Sequence, residues 1–376
     1  MTKYRFEQFA INRTKKRKPT EADMQSYIGL EHLDTGNISV KRWGSDVPIK
    51  GVKLIMTKGD VLLGKRNAYL RRAAIAPHDG LFSAHGMILN PIEDIVDKDF
   101  FPLFIASDYF FDEAIAISVG SLSPTINWRD LAKMEFNLPP KEEQQKIAQV
   151  VWSINDTIDS YQKLLDETEN LIKGRFVEMF GDLDTNPHNY PIRKLSEIAS
   201  YWNGLTYKPA DVTEDNTGTL VLRSGNIQNG ELCFEDNVRV GCEIKDKLYV
   251  RDNDILMCSR NGSAALVGKT ALIKELEESM TFGAFMMIIR SEYYPFLKTY
   301  FDTPYFRNQL STGTSTINQI TAKMLNQIEI PVPEIDVVQE FGQFLLKCDE
   351  LKSSLRDAMD AAKAMKREII ADALKN

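Results

Sequence analysis

Residues 138–148 read Leu138-Pro139-Pro140-Lys141-Glu142-Glu143-Gln144-Gln145-Lys146-Ile147-Ala148, and from there to Phe180 apolar side chains return every seven positions. Val151, Ile158, Leu165 and Ile172 form one series; Ile147, Ile154, Tyr161 and Thr168 form the other. Two interleaved seven-residue series mark a coiled-coil seam rather than a general amphipathic helix. The prolines suit a helix entry, and Glu142 and Glu143 complement the dipole of its first turn. At about 1.5 Å per residue the helix would reach roughly 55–60 Å. A second such run follows Pro331-Val332-Pro333: Phe341, Cys348, Leu355, Ala362 and Ile369, with Phe344, Leu351, Ala358 and Met365 between them. Neither helix can hide its stripe alone, so each needs a mate. The economical mate is the other helix, and a twofold-like relation between the halves would make the pair antiparallel. Strict seven-residue spacing weighs against each stripe packing only on its own globular region.

The segments before the two helices also repeat. Residues 27–36 align with 221–230, Gly59-Asp60-Val61-Leu62-Leu63 with Asn253-Asp254-Ile255-Leu256-Met257, and Arg66-Asn67 with Arg260-Asn261. Residues 82–89 align with 282–289, Thr125-Ile126-Asn127 with Thr316-Ile317-Asn318, and 136–140 with 328–333. Five blocks in one order, with 59–63 and 66–67 taken together, exceed chance, and the drift in their offsets is what loop insertions produce. Each half runs from strand signals bounded by Gly, Pro, Asp and Asn through an aromatic segment, read as core helix, to a proline stop and a long helix. The expected fold is therefore α+β. Two similar α/β domains, at 1–138 and 182–330, are joined and separated by a long antiparallel two-helix coiled coil built from 139–181 and 331–376.

The 376 residues suit two or three domains. No apolar run approaches the roughly 18–20 residues of a membrane span, and the N-terminus lacks the apolar core of a signal peptide. Cys233, Cys242, Cys258 and Cys348 form no CxxC pair, which argues against a disulfide framework or zinc site and fits a reducing cytoplasm. The net charge of −7 is concentrated in the first helix: residues 137–186 carry 5 Lys and Arg against 10 Asp and Glu, whereas 1–136 carry 19 against 17. A near-neutral domain can still present one basic face. Clusters at 13–18, at Lys65, Arg66, Arg71 and Arg72, and at Arg260 with Lys269 are the candidates, although solvated surface accounts for charge runs equally well.

Motifs for catalysis are missing. The stretch 262–270 mimics a phosphate-binding loop but places five residues between its glycines where four are required. Asp182-Leu183-Asp184-Thr185-Asn186 opens like a calcium loop, yet Pro187 stands where the glycine belongs, so it reads as a turn. The four histidines are scattered without metal-ligand spacing, and no nucleophile elbow or dinucleotide fingerprint occurs.

This organisation resembles the specificity subunit of type I restriction–modification enzymes. The resemblance rests on residues 138–148, on Lys194-Leu195-Ser196-Glu197-Ile198-Ala199 opening the second half, on Gly59-Asp60-Val61-Leu62, and on Asp254-Ile255-Leu256 followed by Ser259-Arg260-Asn261-Gly262. Two departures stand out. The second stop, Ile330-Pro331-Val332-Pro333-Glu334, lacks the Glu-Gln pair, and the first half opens without the Lys-Leu-x-Glu-Ile form. The resemblance implies a non-catalytic reader of double-stranded DNA with two target recognition domains, one per half of a split target. The helices would space the half-sites and dock two methyltransferase subunits. Those subunits would bring S-adenosylmethionine, and motor-nuclease (restriction/translocase) subunits would join them. Base readout needs Arg, Asn, Gln and Ser at loop tips. The DNA-contact candidates are Lys65, Arg66, Asn67, Arg71, Arg72 and Asn127 in the first half, and Ser259, Arg260, Asn261, Lys269 and Asn318 in the second. A duplicated coiled-coil adaptor that binds only proteins is the competing expectation.

Overall fold

The structure, a computed structural model, describes residues 1–214, 217–310 and 318–375. The chain divides into two compact units, residues 1–163 with 355–376 and residues 164–354. Each contains one copy of the repeat and one end of each long helix. Along the first copy come β1 (Thr2–Arg5), α1 (Phe6–Phe9), β2 (Ala10–Arg13), β3 (Lys16–Arg17), β4 (Tyr27–Ile28), β5 (Lys53–Met56), β6 (Val61–Gly64), β7 (Ala73–Ile75), β8 (Gly80–Phe82), β9 (Gly86–Pro91), α2 (Phe100–Ile105), α3 (Asp108–Ala116), α4 (Trp128–Leu131), β10 (Glu135–Leu138) and the long α5 (Lys141–Phe180). The second copy supplies β11 (Ile192–Lys194), α6 (Leu195–Ile198), β12 (Ser200–Asn203), β13 (Thr219–Leu222), β14 (Ile227–Gln228), β15 (Glu231–Leu232), β16 (Arg239–Val240), β17 (Ile255–Cys258), β18 (Thr270–Leu272), β19 (Met280–Phe282), β20 (Met286–Arg290), α7 (Tyr294–Phe301), α8 (Pro304–Leu310), α9 (Ala322–Leu325), β21 (Glu329–Pro331) and the long α10 (Ile335–Lys375). Among the described residues no helix is long and apolar enough to cross a membrane.

Both copies build the same antiparallel four-stranded sheet, β2-β9-β6-β7 in one and β12-β20-β17-β18 in the other. The second sheet differs: β3-β5-β8-β4 in the first copy, β16-β13-β19 in the second. The parallel pairing of Ile28 with Phe82 recurs as Leu222 with Phe282. In both copies the first strand pairs with the last, Arg5 opposite Glu135 and Lys194 opposite Glu329. This pairing explains one departure noted above. Arg5-Phe6-Glu7-Gln8-Phe9 occupies the place of Lys194-Leu195-Ser196-Glu197-Ile198. The Arg5 N–H donates to Gln8 Oε1 at 2.7 Å as the Lys194 N–H donates to Glu197 Oε1 at 3.3 Å.

The same register corrects two of the sequence alignments. Arg66 bridges Thr125 and Arg260 bridges Gln319, so the counterpart of Asn127 is Thr321, not Asn318. Thr321 caps α9 by accepting from the Met324 N–H at 3.2 Å. Thr316 and Ile317 lie outside the described residues, so the Thr-Ile-Asn match has no structural counterpart among those described. Similarly, Phe136 corresponds to Ile330 rather than Ile328.

The aromatic segments are core. Phe6, Phe9, Phe104, Phe110 and Phe136 are fully buried, and Phe104 meets Phe136 edge to face at 5.3 Å. In the other unit Phe176 and Phe180 of α5 pack on Phe296 and on Phe341 of α10. Gln144 pins the start of α5. It is fully buried, accepts from the Asp97 N–H at 2.8 Å and donates to the Pro139 carbonyl at 2.9 Å. The register puts buried Val338 at its place in the second copy, so apolar packing there replaces a hydrogen-bonded lock and the second stop has no need of a Gln.

The long helices pair antiparallel within each unit. In unit 2, Arg175 reaches Glu340 at 3.0 Å and Glu169 reaches Lys352 at 2.7 Å. In unit 1, Lys366 Nζ donates to Asn155 Oδ1 at 2.9 Å, while Ala148 and Val151 share a core with Ile370 and Leu374. The first helix keeps its expected seam: Val151, Leu165, Thr168 and Ile172 are buried, and Ile147, Ile154, Ile158 and Tyr161 are half-buried. The second needs a correction. Leu351 and Met365 are exposed, and the adjacent Lys352 and Lys366 face inward instead. Lys352 is only 6 % exposed and lies within 3.5 Å of carboxylates of Glu169, Glu231 and Asp349. A count of apolar residues passes over a lysine whose stem lies along the seam and whose ammonium finds carboxylates.

One buried carboxylate in each sheet is satisfied in opposite ways. Asp60, 3 % exposed, accepts from Arg13 on β2 at 2.9 Å and from Asn90 on β9 at 2.8 Å. Its counterpart Asp254, 1 % exposed, accepts both N–H groups of Arg290 on β20 at 2.6 and 2.7 Å. By register Arg290 stands where Asn90 does, and Trp202, on which the Arg290 guanidinium rests at 5.0 Å, stands where Arg13 does. The arginine has moved to the other neighbouring strand. A buried carboxylate stripped of its cation is costly, so Arg290→Asn should destabilise the second unit by about 2–4 kcal/mol in urea unfolding. Adding Trp202→Arg rebuilds the first copy's arrangement and should recover a large part of that loss. Two independent, additive losses would refute the exchange.

Burial alone would lower the pKa of Lys352, but Glu169, Glu231 and Asp349 outweigh it and the net shift is upward. A raised folded-state value stabilises fully below the unfolded lysine value of about 10.4 and is lost as pH rises through the folded one. The deficit of Lys352→Met relative to the unaltered chain should therefore be constant from pH 7 to 9 and shrink above pH ~10.5, followed by urea midpoints.

Candidate nucleic-acid interface

In each copy the strand β6 or β17 ends in a loop that crosses the tip of the neighbouring hairpin. The Arg66 N–H donates to the His85 carbonyl at 3.3 Å, and the Arg260 N–H to the Phe285 carbonyl at 3.1 Å. His85 and Phe285 are the turn residues of β8–β9 and β19–β20, so an arginine and a hairpin tip lie side by side in both copies.

In the first copy this end gathers Lys16, Lys53, Lys65, Arg66 and His85. None of the five forms an ion pair with a carboxylate among the described residues. Lys65 is pushed below the usual lysine range by burial and then by Lys16. His85 is pushed down by burial, then by Arg66, Lys65 and Lys53. These charge neighbours are all cations. Elsewhere in this copy Arg13, Arg17, Arg42 and Arg71 are all committed to Asp partners. A chain of net charge −7 thus carries a local positive field at one loop cluster. Lys16, Lys65 and Asn127 also line a recess of about 100 Å³ with Asn12 and Thr14.

The sequence candidates separate by environment. Lys65, Arg66 and Asn127 come together at this end. Asn67 adjoins them in a left-handed turn (φ 55°), its carbonyl accepting from the Leu70 N–H. Arg71 points to α3, its guanidinium 2.7 Å from Asp108 and paired as well with Asp112, while half-buried Arg72 accepts the Gly64 N–H with its carbonyl. In the second copy Arg260 is exposed with its guanidinium 5.4 Å from the Phe285 ring centroid. Ser259 is buried, donating to the Phe285 carbonyl at 2.9 Å and accepting from Asn203 Nδ2 at 3.1 Å. Asn261 Nδ2 donates to Ser224 Oγ at 3.0 Å. Lys269 Nζ reaches the Ile227 carbonyl at 3.4 Å, and Asn318 is exposed.

Three further residues of these faces escaped the sequence reading, Lys53, His85 and Phe285; Lys16 entered it only as part of the basic run 13–18. The one available signal was the repeat itself, since positions 85 and 285 align. Exposed, unpaired cations can meet a phosphate or a base edge without first giving up a carboxylate, and the guanidinium fork fits guanine's O6 and N7.

A family model described as the type I restriction modification DNA specificity domain matches residues 11–170 and again 187–358, one match per copy. Among curated proteins, the EcoKI specificity subunit of Escherichia coli (strain K12) is 20 % identical over 327 residues, covering 80 % of this chain and 69 % of its own. The MjaVIII specificity subunit of Methanocaldococcus jannaschii is 21 % identical over 368 residues, 92 % of this chain and 84 % of its own. The StySPI specificity subunit of Salmonella potsdam is 24 % identical over 200 residues, half of this chain and 43 % of its own length. Among solved structures, the S subunit from M. genitalium superposes with a TM-score of 0.56 at 14 % identity, over 100 % of this chain and 96 % of that one. A chain from work on assembly and conformational transition of the type I R-M system gives 0.58 at 17 %, over 100 % and 97 %. With a specificity-domain match on each copy of its repeat, the chain belongs to the family of type I restriction–modification DNA specificity subunits.

Proposed function

We propose that this chain is the non-catalytic subunit that selects the DNA target of a type I restriction–modification enzyme, each copy reading one half of a bipartite sequence. The observation that carries this is the pair of corresponding loop ends, each presenting an arginine with no carboxylate partner among the described residues beside a hairpin tip. The polar side chains around the two arginines differ, so the half-sites differ. The helices set the gap between the half-sites and provide the dock for two methyltransferase subunits, which carry S-adenosylmethionine; restriction/translocase subunits join that core. About 60 Å of helix at about 1.5 Å per residue spans under two turns of duplex at roughly 34–36 Å each. Partners supply much of the phosphate neutralisation, which accommodates the acidic total. That acidity is also the one feature favouring a purely protein-binding adaptor, and the first measurement below separates the two.

With the methyltransferase partner present, DNA affinity measured across a salt series should fall for Lys65→Ala and Arg66→Ala. The slope of log K against log salt should become shallower by about 1 for each phosphate left without its cation. Binding without sequence preference, unaltered by these changes and by Arg260→Ala, would leave the adaptor reading in its place. Deleting one heptad of α5, residues 151–157, should keep both half-sites and change their separation or abolish assembly. Unchanged spacing with full methylation would exclude the spacer role.

A further inference from the structure

We infer that Arg260 makes the second domain select a guanine in its half-site and that Phe285 is the positioning residue that holds it there; this rests on reading that domain as a base reader. The backbone at Arg260 is fixed from two sides. The N–H groups of Ser259 and Arg260 both donate to the Phe285 carbonyl, at 2.9 and 3.1 Å, and Arg260 bridges Gln319 on the segment leading to α9. The side chain is then steadied by the ring of the same Phe285, 5.4 Å from the guanidinium carbon. That contact uses the cation's attraction to the ring and consumes none of its N–H donors.

The neighbouring arginines of this domain are engaged differently. Arg223 is paired with Asp236, Arg239 with Glu278 and Arg290 with Asp254. Arg260 alone of these four has no carboxylate among the described residues and lies exposed at a loop tip. Phe285 is 60 % exposed, so the anchor stands at the surface beside the arginine. A planar fork of free donors, held at an exposed tip by an aromatic side chain, is matched in the major groove by the O6 and N7 acceptors of guanine. Adenine offers N7 beside an amino donor, which a guanidinium cannot satisfy. Copy one has Arg66 at the corresponding place but His85 in place of the phenylalanine. Burial and the adjacent cations Arg66, Lys65 and Lys53 hold that imidazole toward its neutral form. The two domains thus share the reading arginine and differ in what steadies it.

The test uses the full chain co-expressed with its methyltransferase subunits and maps modified sites genome-wide by methylation-sensitive sequencing. The unaltered complex should show a guanine at one position of a half-site. Arg260→Ala should reduce the preference for it roughly 5- to 150-fold, the ratio corresponding to about 1–3 kcal/mol for a bidentate base contact. Arg260→Gln, which pairs with adenine's N6 and N7, should shift that one position from guanine toward adenine. Phe285→Leu should relax the same position and no other, with Phe285→Tyr restoring it. The half-site read by the first domain must persist in every variant, which serves as the folding control. If the unaltered complex has no preferred sequence, the base-reader reading falls and the inference with it. If the sequence is specific but Arg260→Ala leaves every position unchanged, or relaxes a base other than guanine, only the inference falls.

Discussion

A 40-residue amphipathic helix cannot hide its own apolar stripe, and the rest of this architecture follows from how two such helices resolve that constraint. Each end of α5 packs against the opposite end of α10, and the aromatic cores close over these pairs: Phe176 and Phe180 with Phe341 in one unit, Ala148 and Val151 with Ile370 and Leu374 in the other. The pairing of first and last strands fastens each copy to the segment entering its helix. Gln144 in one copy and Val338 in the other complete the junction by different chemistry. The loop ends carrying Arg66 and Arg260 are held by sheets that rest on these cores.

Much of this was legible in the sequence because it is periodic. Seven-residue recurrence gave both long helices, and repetition at nearly constant offset gave the duplicated sheet. What failed did so where side-chain identity and structural role part company. Lys352 and Lys366 sit inward because a long aliphatic stem can lie along a seam while its ammonium finds a carboxylate or an amide, which a hydrophobicity count cannot register. Thr-Ile-Asn matched better by letter than Thr125-Ile126-Asn127 against Gln319-Ile320-Thr321, yet backbone pairing selects the latter. Arg5-Phe6-Glu7-Gln8-Phe9 looked unlike its counterpart although Gln8 and Glu197 make the same turn.

The candidate interface was partly legible. Arg66 and Arg260 stand out because they repeat, but sequence does not separate a free cation from a committed one. Arg71, a candidate of the next rank after Arg66, has its guanidinium paired with Asp108 and Asp112. Ser259 looked like a contact residue and is a buried brace for the hairpin tip. His85 and Phe285 had no signal of their own, since a hairpin tip tolerates almost any side chain and the role comes from the arginine beside it.

The arginine that changed strands between the copies limits which strands of one copy could stand in for those of the other. Asp60 expects its cation from β2, and Asp254 expects it from β20. A crossover falling inside the sheet would join a strand carrying Trp202 to one carrying Asn90, stranding an acid, or bring Arg13 and Arg290 to one site, crowding two positive charges. Breakpoints in the linking segments avoid both outcomes. The interior of each sheet is therefore best exchanged as an indivisible block, with its acid and its cation kept together.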